Sequence, residues 1–246
     1  KIKKSKRPIV IIGESALNGK SGKYIFETLK KFLINNNFIK KNWNALNILN
    51  QHASRVGALD LNIFSITKDD NFSFFNKFDN DEFKFIYLLG ADNIYFNKKD
   101  EFIVYQGSHG DKGAEIADVI LPGCAYTEKN GLFVNLEGKL QNAFKASYPP
   151  GLAREDWSIF KDHANKIKKP LPFSNVKQLR EIIKKQIQSK NNLNIINNNI
   201  DFVEENISVK SVDYYYTNPI ARASKTMNEC RKISKKFLFT GIERSG

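Results

Sequence analysis

The amino-acid sequence predicts an α/β protein, a mainly parallel sheet flanked by helices with a small β-hairpin unit. Three observations carry that expectation. Short, almost continuously apolar runs, Pro8 to Ile12 and Phe83 to Leu89, stop at a glycine, as strands buried on both faces do. Other segments repeat apolar residues at helical spacing. The stretch Tyr105 to Gln141 carries Asn130-Gly131 and Glu137-Gly138, turn pairs placed to reverse short apolar runs.

Taken in order, Pro8 to Ile12 is followed by Gly13 and then by Ile25, Leu29, Phe32 and Leu33 at helical spacing, the opening of a βα unit. Trp43 to Val56 has mixed helical periodicity through Leu46, Leu49 and Ala53. Thr67 to Asp81 is polar apart from its phenylalanines and reads as a surface excursion. Phe83 to Leu89 is a second strand, with Gly90-Ala91-Asp92 at its carboxyl end, where parallel sheets usually receive ligands. Phe102 to Tyr105 is an apolar run that precedes the Gly107 loop, and Val119 to Leu121 is a further short buried strand, stopped by Pro122-Gly123. With the two reversals, the stretch to Gln141 reads as a small antiparallel unit.

Beyond Pro149-Pro150-Gly151, Glu155 and Asp156 open a helix with Trp157, Phe160, Ala164 and Ile167 on one face, its acidic start and lysine-rich end suiting the helix dipole. Asn175 caps a further helix with an apolar stripe of Val176, Leu179, Ile183 and Ile187, and Asn191 to Asn199 is a low-complexity linker. A last helix begins with Asn218 as cap and Pro219 at its first position, and Ile220, Ala223, Met227 and Cys230 share one side. The expected division is an α/β domain over 1–170 and a helical extension with the Asn-rich linker over 171–246.

Composition narrows the classes of function. The chain has 246 residues, 41% of them apolar with 19 phenylalanines, enough for a sizeable core. No run approaches the ~18 apolar residues of a membrane span. The net charge of +13 favours acidic partners, but the lysines are scattered from Lys1 to Lys236 without an RNA-binding, zinc-finger or basic-zipper pattern, so nucleic acid is not the expected partner. Two cysteines, Cys124 and Cys230, are too few for a disulfide framework. Lys1 to Arg7 lacks the following apolar core of a secretory signal. The abundance of Lys, Asn, Ile, Phe and Tyr points to an AT-rich gene such as one on an organellar genome.

Each candidate for chemistry has a plainer reading that outweighs it. Gly13 to Ser21 follows a strand and precedes a helix, yet five residues separate Gly13 from Gly19 where a phosphate-cradling loop has four, and one extra residue turns part of the N–H nest away. Gly107, Gly110 and Gly113 are spaced GxxGxxG, which is not the dinucleotide pattern; they serve turns, with Asp118 and Glu128 bonding nearby backbone N–H groups. Iron–sulfur ligation needs a cluster of thiolates that Cys124 and Cys230 do not supply. A Cys124–His109 nucleophile pair is weighed against a small buried hydrophobe, and the latter is expected. His52, His109 and His163 are isolated, and Asp69-Asp70 and Asp79 to Glu82 read as solvated faces. No catalytic, cofactor-binding or metal-ligating residue is assigned.

Several strings together resemble one family. Ala117 to Gly123 (ADVILPG), Tyr126 to Gly131 (YTEKNG) and Asn135 to Gly138 (NLEG), with Pro8 to Leu17 (PIVIIGESAL), Arg55 to Leu61 (RVGALDL), Leu88 to Asp92 (LLGAD), Pro149 to Trp157 (PPGLAREDW) and Tyr216 to Met227 (YTNPIARASKTM), are similar to the molybdopterin-oxidoreductase-like part of the large iron–sulfur subunit of respiratory complex I. That resemblance implies a formate-dehydrogenase-like fold and a structural, non-catalytic part of NADH:ubiquinone oxidoreductase. It implies no cofactor in this chain, with FMN and iron–sulfur clusters on partner chains or on the cysteine-rich amino-terminal half, which is carried on a longer or a separate polypeptide. The implied partners are the other peripheral-arm subunits, and the implied place is the matrix side of the mitochondrial inner membrane. Two alternatives stay open: a fragment of a pterin-dependent molybdenum oxidoreductase, and a basic binder of nucleic acid or anionic surfaces.

Overall fold

The computed structural model describes residues 2–40, 42–63, 74–80, 82–94, 96–188, 201–205 and 213–236. In chain order the elements are β1 (Val10–Gly13), α1 (Gly22–Asn35), β2 (Ile39–Lys40), β3 (Trp43–Asn44), β4 (Leu46–Leu49), α2 (Arg55–Asp60) and α3 (Phe74–Asp79). Next come β5 (Phe85–Leu89), β6 (Phe102–Gly107), α4 (Lys112–Glu115), β7 (Val119–Pro122), β8 (Gly131–Val134) and β9 (Leu140–Ala143). The last helices are α5 (Asp156–Lys166), α6 (Val176–Gln188), α7 (Pro219–Ala223) and α8 (Lys225–Lys236). The architecture is α/β, with parallel sheets flanked by helices and a hairpin. The chain forms two compact units, Lys1–Ile66 with Gly131–Ala143 and Phe173–Val209, and Thr67–Asn130 with Phe144–Pro172 and Lys210–Gly246.

In the first unit β1 and β4 pair in parallel, Val10 opposite Leu46 and Ile12 opposite Ile48. Val10 and Leu46 pack with Leu29 and Phe32 of α1 around the buried Leu33, Phe38 and Ala45. The helical periodicity expected over Trp43 to Val56 gives way to two short strands, and helix starts only at Arg55. Burial decides this: Leu46 and Ile48, two residues apart, share the face over α1, and the Asn44 side chain accepts the Leu46 N–H at 3.0 Å, a bond that competes with helix. The β8–β9 hairpin reverses at Gly138, whose φ of +79° places it in the left-handed region that glycine tolerates. Residues 201–205 lie against the start of α1, where the Ser21 hydroxyl donates to the Val203 carbonyl at 2.6 Å and accepts from its N–H at 2.9 Å. Asn175 caps α6 as expected, accepting the Gln178 N–H at 3.0 Å.

In the second unit β5, β6 and β7 form a parallel sheet in that order. The stretch read as one antiparallel unit is therefore divided: Val119–Pro122 joins β6 in parallel, and only 131–143 is a hairpin. One sheet face buries Ile86, Leu88, Ile103 and Tyr105 with Phe78 and Phe96, whose rings lie 4.6 Å apart. Phe78 belongs to α3, so at least this part of the expected surface excursion contributes to the core; residues 67–73 and 81 lie outside the described residues. The other face carries α5, with Phe160 against Tyr87 at 5.3 Å. Ile159 and Ala164 are the buried residues of α5, while Ile167, expected on that face, is 67% exposed because the helix ends at Lys166.

At the carboxyl-terminal end of the chain, Asn218 caps α7 through the Ala221 N–H at 2.9 Å, with Pro219 at the first position. The single helix expected from there is broken at Ser224, whose ψ of 124° is extended and whose hydroxyl accepts the Met227 N–H at 3.3 Å, restarting the chain as α8. Asn191 to Asn199 lies outside the described residues. No helix among the described residues is long and apolar enough to cross a membrane.

Candidate functional site at the carboxyl end of the parallel sheet

Because β5 and β6 are adjacent and parallel, the loops after Leu89 and Gly107 open side by side. Gly90 turns the first with a φ of +60°, and Asp92 follows, buried. The second loop ends at Asp111, which caps α4 by accepting the Lys112 N–H at 2.9 Å. Gly113 packs so closely that a Cβ there would run into the Ala91 carbonyl, which holds the two loops together. Arg222 of α7 reaches between the carboxylates. Its Nη2 donates to Asp92, its Nε to Asp111 at 2.7 Å, and its Nη1 to the Tyr216 carbonyl at 3.5 Å. Tyr105 lies beside this triad and donates its hydroxyl to the His109 carbonyl at 2.7 Å. Burial, then the charges of Asp92 and Asp111, push its phenol up to about 12, with Arg222 pulling the other way.

A second polar group lies along β6. Gln106, 0% exposed, accepts from the Tyr87 hydroxyl and donates to Asp156 Oδ1 at 2.8 Å, while Lys129 pairs with Asp156 Oδ2. Burial and then Asp156 raise the Tyr87 phenol. Beside α5 lies an open groove of about 500 Å³ with an apolar wall of Leu121, Pro122, Leu152 and Ile159 and a polar rim that includes Arg154 and His163. Every polar atom named in the Gln106 group is matched by another, so it reads as a buried brace for the sheet.

The residues weighed from sequence fall as follows. Asp118 Oδ2 accepts the Ile103 N–H at 2.8 Å and Glu128 Oε2 accepts the Ala125 N–H at 3.0 Å, the backbone bonds expected of them. The Ile103 bond, then Lys98, hold the Asp118 carboxyl below its ordinary value. Gly107 approaches its neighbours so closely that a Cβ would overlap the Tyr105 ring, whereas Gly110 faces open space. Cys124 is 4% exposed and its thiol is raised, by burial first and then by Glu155, which keeps it protonated. His109 Nδ1 lies 3.0 Å from Ser108 Oγ, and His163 sits edge-on to Tyr87 at 6.4 Å. In the Gly13 to Ser21 loop the Ser21 N–H faces Glu205 Oε1 at 3.5 Å, so a carboxylate of the chain itself lies against this loop. Glu14 pairs with Arg55 at 3.0 Å, and Lys20 is exposed. Asp69 and Asp70 lie outside the described residues.

Sequence reasoning pointed to Asp92 by its place after a strand and missed Arg222, which is 130 residues away from it. The only signal was its position within Tyr216 to Met227. A pterin cofactor with its anionic phosphate does not fit this end of the sheet. Such a group would meet two carboxylates, and the one guanidinium between them already uses all its nitrogens.

Residues 1–166 match the profile of the molybdopterin oxidoreductase family, and residues 187–230 match that of the carboxyl-terminal region of the G subunit of NADH-ubiquinone oxidoreductase. The chain belongs to the molybdopterin oxidoreductase family. Among its relatives, the NADH-ubiquinone oxidoreductase 75 kDa subunit of Reclinomonas americana is 42% identical over 96% of this chain and 35% of its own length. The mitochondrial NADH-ubiquinone oxidoreductase 78 kDa subunit of Candida albicans is 36% identical over 94% of this chain and 34% of its own. The protein of the same description from Neurospora crassa is 35% identical over 99% of this chain and 35% of its own. The chain thus spans about a third of the length of the curated relatives it matches.

Proposed function

We propose that this chain is a non-catalytic, structural part of the large iron–sulfur subunit of respiratory complex I, supporting electron transfer from NADH to ubiquinone in the peripheral arm. The observation that carries the reading is the near end-to-end match, 42% identical over 96% of the chain, to a 75 kDa subunit of NADH-ubiquinone oxidoreductase. The geometry favours a supporting role: the carboxyl end of the sheet is paired internally, and Cys124 is buried. On this reading FMN and the iron–sulfur clusters belong to partner chains or to the cysteine-bearing part of the subunit. The chain itself carries no cofactor and does not engage nucleic acid. Its partners are peripheral-arm subunits, and its place is the matrix side of the mitochondrial inner membrane.

Native electrophoresis of detergent-solubilised mitochondria tests this directly. The chain is expected to co-migrate with NADH dehydrogenase activity, and its depletion to remove the assembled complex. Migration away from that activity would overturn the assignment. Stoichiometric molybdenum or tungsten in the purified chain would instead establish the pterin-dependent alternative.

A further inference from the structure

We propose that the ligand end of the β5–β6–β7 sheet is closed from within by the segment 213–236, a strap pinned through the ion triad Asp92–Arg222–Asp111. The open end of a parallel sheet, past the carboxyl termini of its strands, is where α/β proteins take ligands. In this chain the loops after β5 and β6 place Asp92 and Asp111 there, with side chains only 10% and 25% exposed. Two carboxylates brought together and partly desolvated repel each other and call for a cation.

That cation comes from the chain itself. Arg222, 17% exposed, spends Nη2 on Asp92 and Nε on Asp111, while Nη1 binds the Tyr216 carbonyl within the strap. The strap is also tied to itself, since Arg231 pairs with Asp213 and lies 4.4 Å from the Tyr216 ring centre. Asn218 and Pro219 set the start of α7 so that Arg222 is presented one turn later. A family named for a pterin-bearing fold is represented here by a chain whose own guanidinium is the group seated at that end. The inference does not rest on membership of complex I and is tested on the full chain alone.

Hydrogen exchange read by mass spectrometry on the full chain, with carbodiimide footprinting of carboxylates, decides it. Arg222→Ala is expected to raise exchange of peptides within 213–236 about tenfold or more. Labelling of Asp92 and Asp111 should rise likewise, while amides of β5 and β6 keep their protection. Arg222→Lys, a point charge without the fork, is expected to fall between wild type and Arg222→Ala. Asp92→Asn, which keeps the shape and removes one charge, is expected to loosen the same peptides with the sheet intact, and guards against a misfolded Arg222→Ala. Unchanged strap exchange in both Arg222→Ala and Asp92→Asn would overturn the proposal. So would equal loss of protection across strap and sheet in Asp92→Asn, since the triad would then be part of the general core.

Discussion

At the scale of single residues, the polar side chains of the second unit act mainly on backbone and on one another. Asp118 illustrates this, because its carboxylate accepts the Ile103 N–H and pairs with Lys98, tying the loop before β7 to β6. A carboxyl held below its ordinary value stabilises the fold at pH above that value and ceases to do so as pH falls through the lowered one. Asp118→Ala is therefore expected to melt below wild type near neutral pH, with the gap shrinking once pH drops under the ordinary 3.8 and closing in stronger acid, as a thermal-melt series across pH would show. Gln106 is a sharper case. Replacing it by Leu leaves Asp156 and the Tyr87 hydroxyl, both half-buried, each short of a bond, and denaturant unfolding is expected to report a loss of about 1–3 kcal/mol. The Gln106→Glu change brings a second carboxylate against Asp156 and is expected to cost more.

At the scale of elements, local chemistry marked the ends of segments and tertiary burial decided their type. The caps at Asn175 and Asn218, the turn at Gly138 and the stop at Pro122 were legible because each depends on a few neighbouring residues. Trp43 to Leu49 was not, because Leu46, Leu49 and Ala53 satisfy a helical period while Leu46 and Ile48 satisfy a strand period, and only pairing with β1 breaks the tie. The same holds for β7, a strand of four residues whose parallel partner β6 lies across an intervening helix. Gly113 in that helix is the joint between the loops that follow β5 and β6. Gly113→Ala is expected to force the Ala91 carbonyl aside and lower stability by about 1–3 kcal/mol in denaturant melts, whereas Gly110→Ala, facing open space, is expected to change little.

At the scale of the whole molecule, each unit leaves apolar side chains bare on one face of a parallel sheet. In the first, Ile11 and Leu49 share the face turned away from α1; in the second, the stacked rings of Phe85 and Phe102 stay exposed with Leu89 on the face that α5 covers only in part, at Tyr87. Parallel strands are ordinarily covered on both faces. The purified chain is accordingly expected to self-associate at low salt and at high salt alike, since the contact is apolar. Sedimentation of wild type against Phe85→Ser with Phe102→Ser should show the shift toward monomer. The charge of +13 counts against association through like surfaces, so self-association that vanished as salt fell would point to screened repulsion as the controlling term.

Short stretches of residues were enough to establish the α/β class, the βα opening, strands within Pro8 to Ile12 and Phe83 to Leu89, which the structure has at Val10–Gly13 and Phe85–Leu89, the helix caps, and the backbone-bonding roles of Asp118 and Glu128. Those features rest on periodicity, on glycine and proline, and on strings of neighbouring residues. Long-range packing alone settled that Val119–Pro122 pairs in parallel with β6, that Trp43 to Leu49 is extended, and that Arg222 meets Asp92 and Asp111 across more than a hundred residues. One cause is common to all three. Which strands pair and which charges meet depends on the burial of surfaces distant in the chain, and that information is absent from any short window of residues.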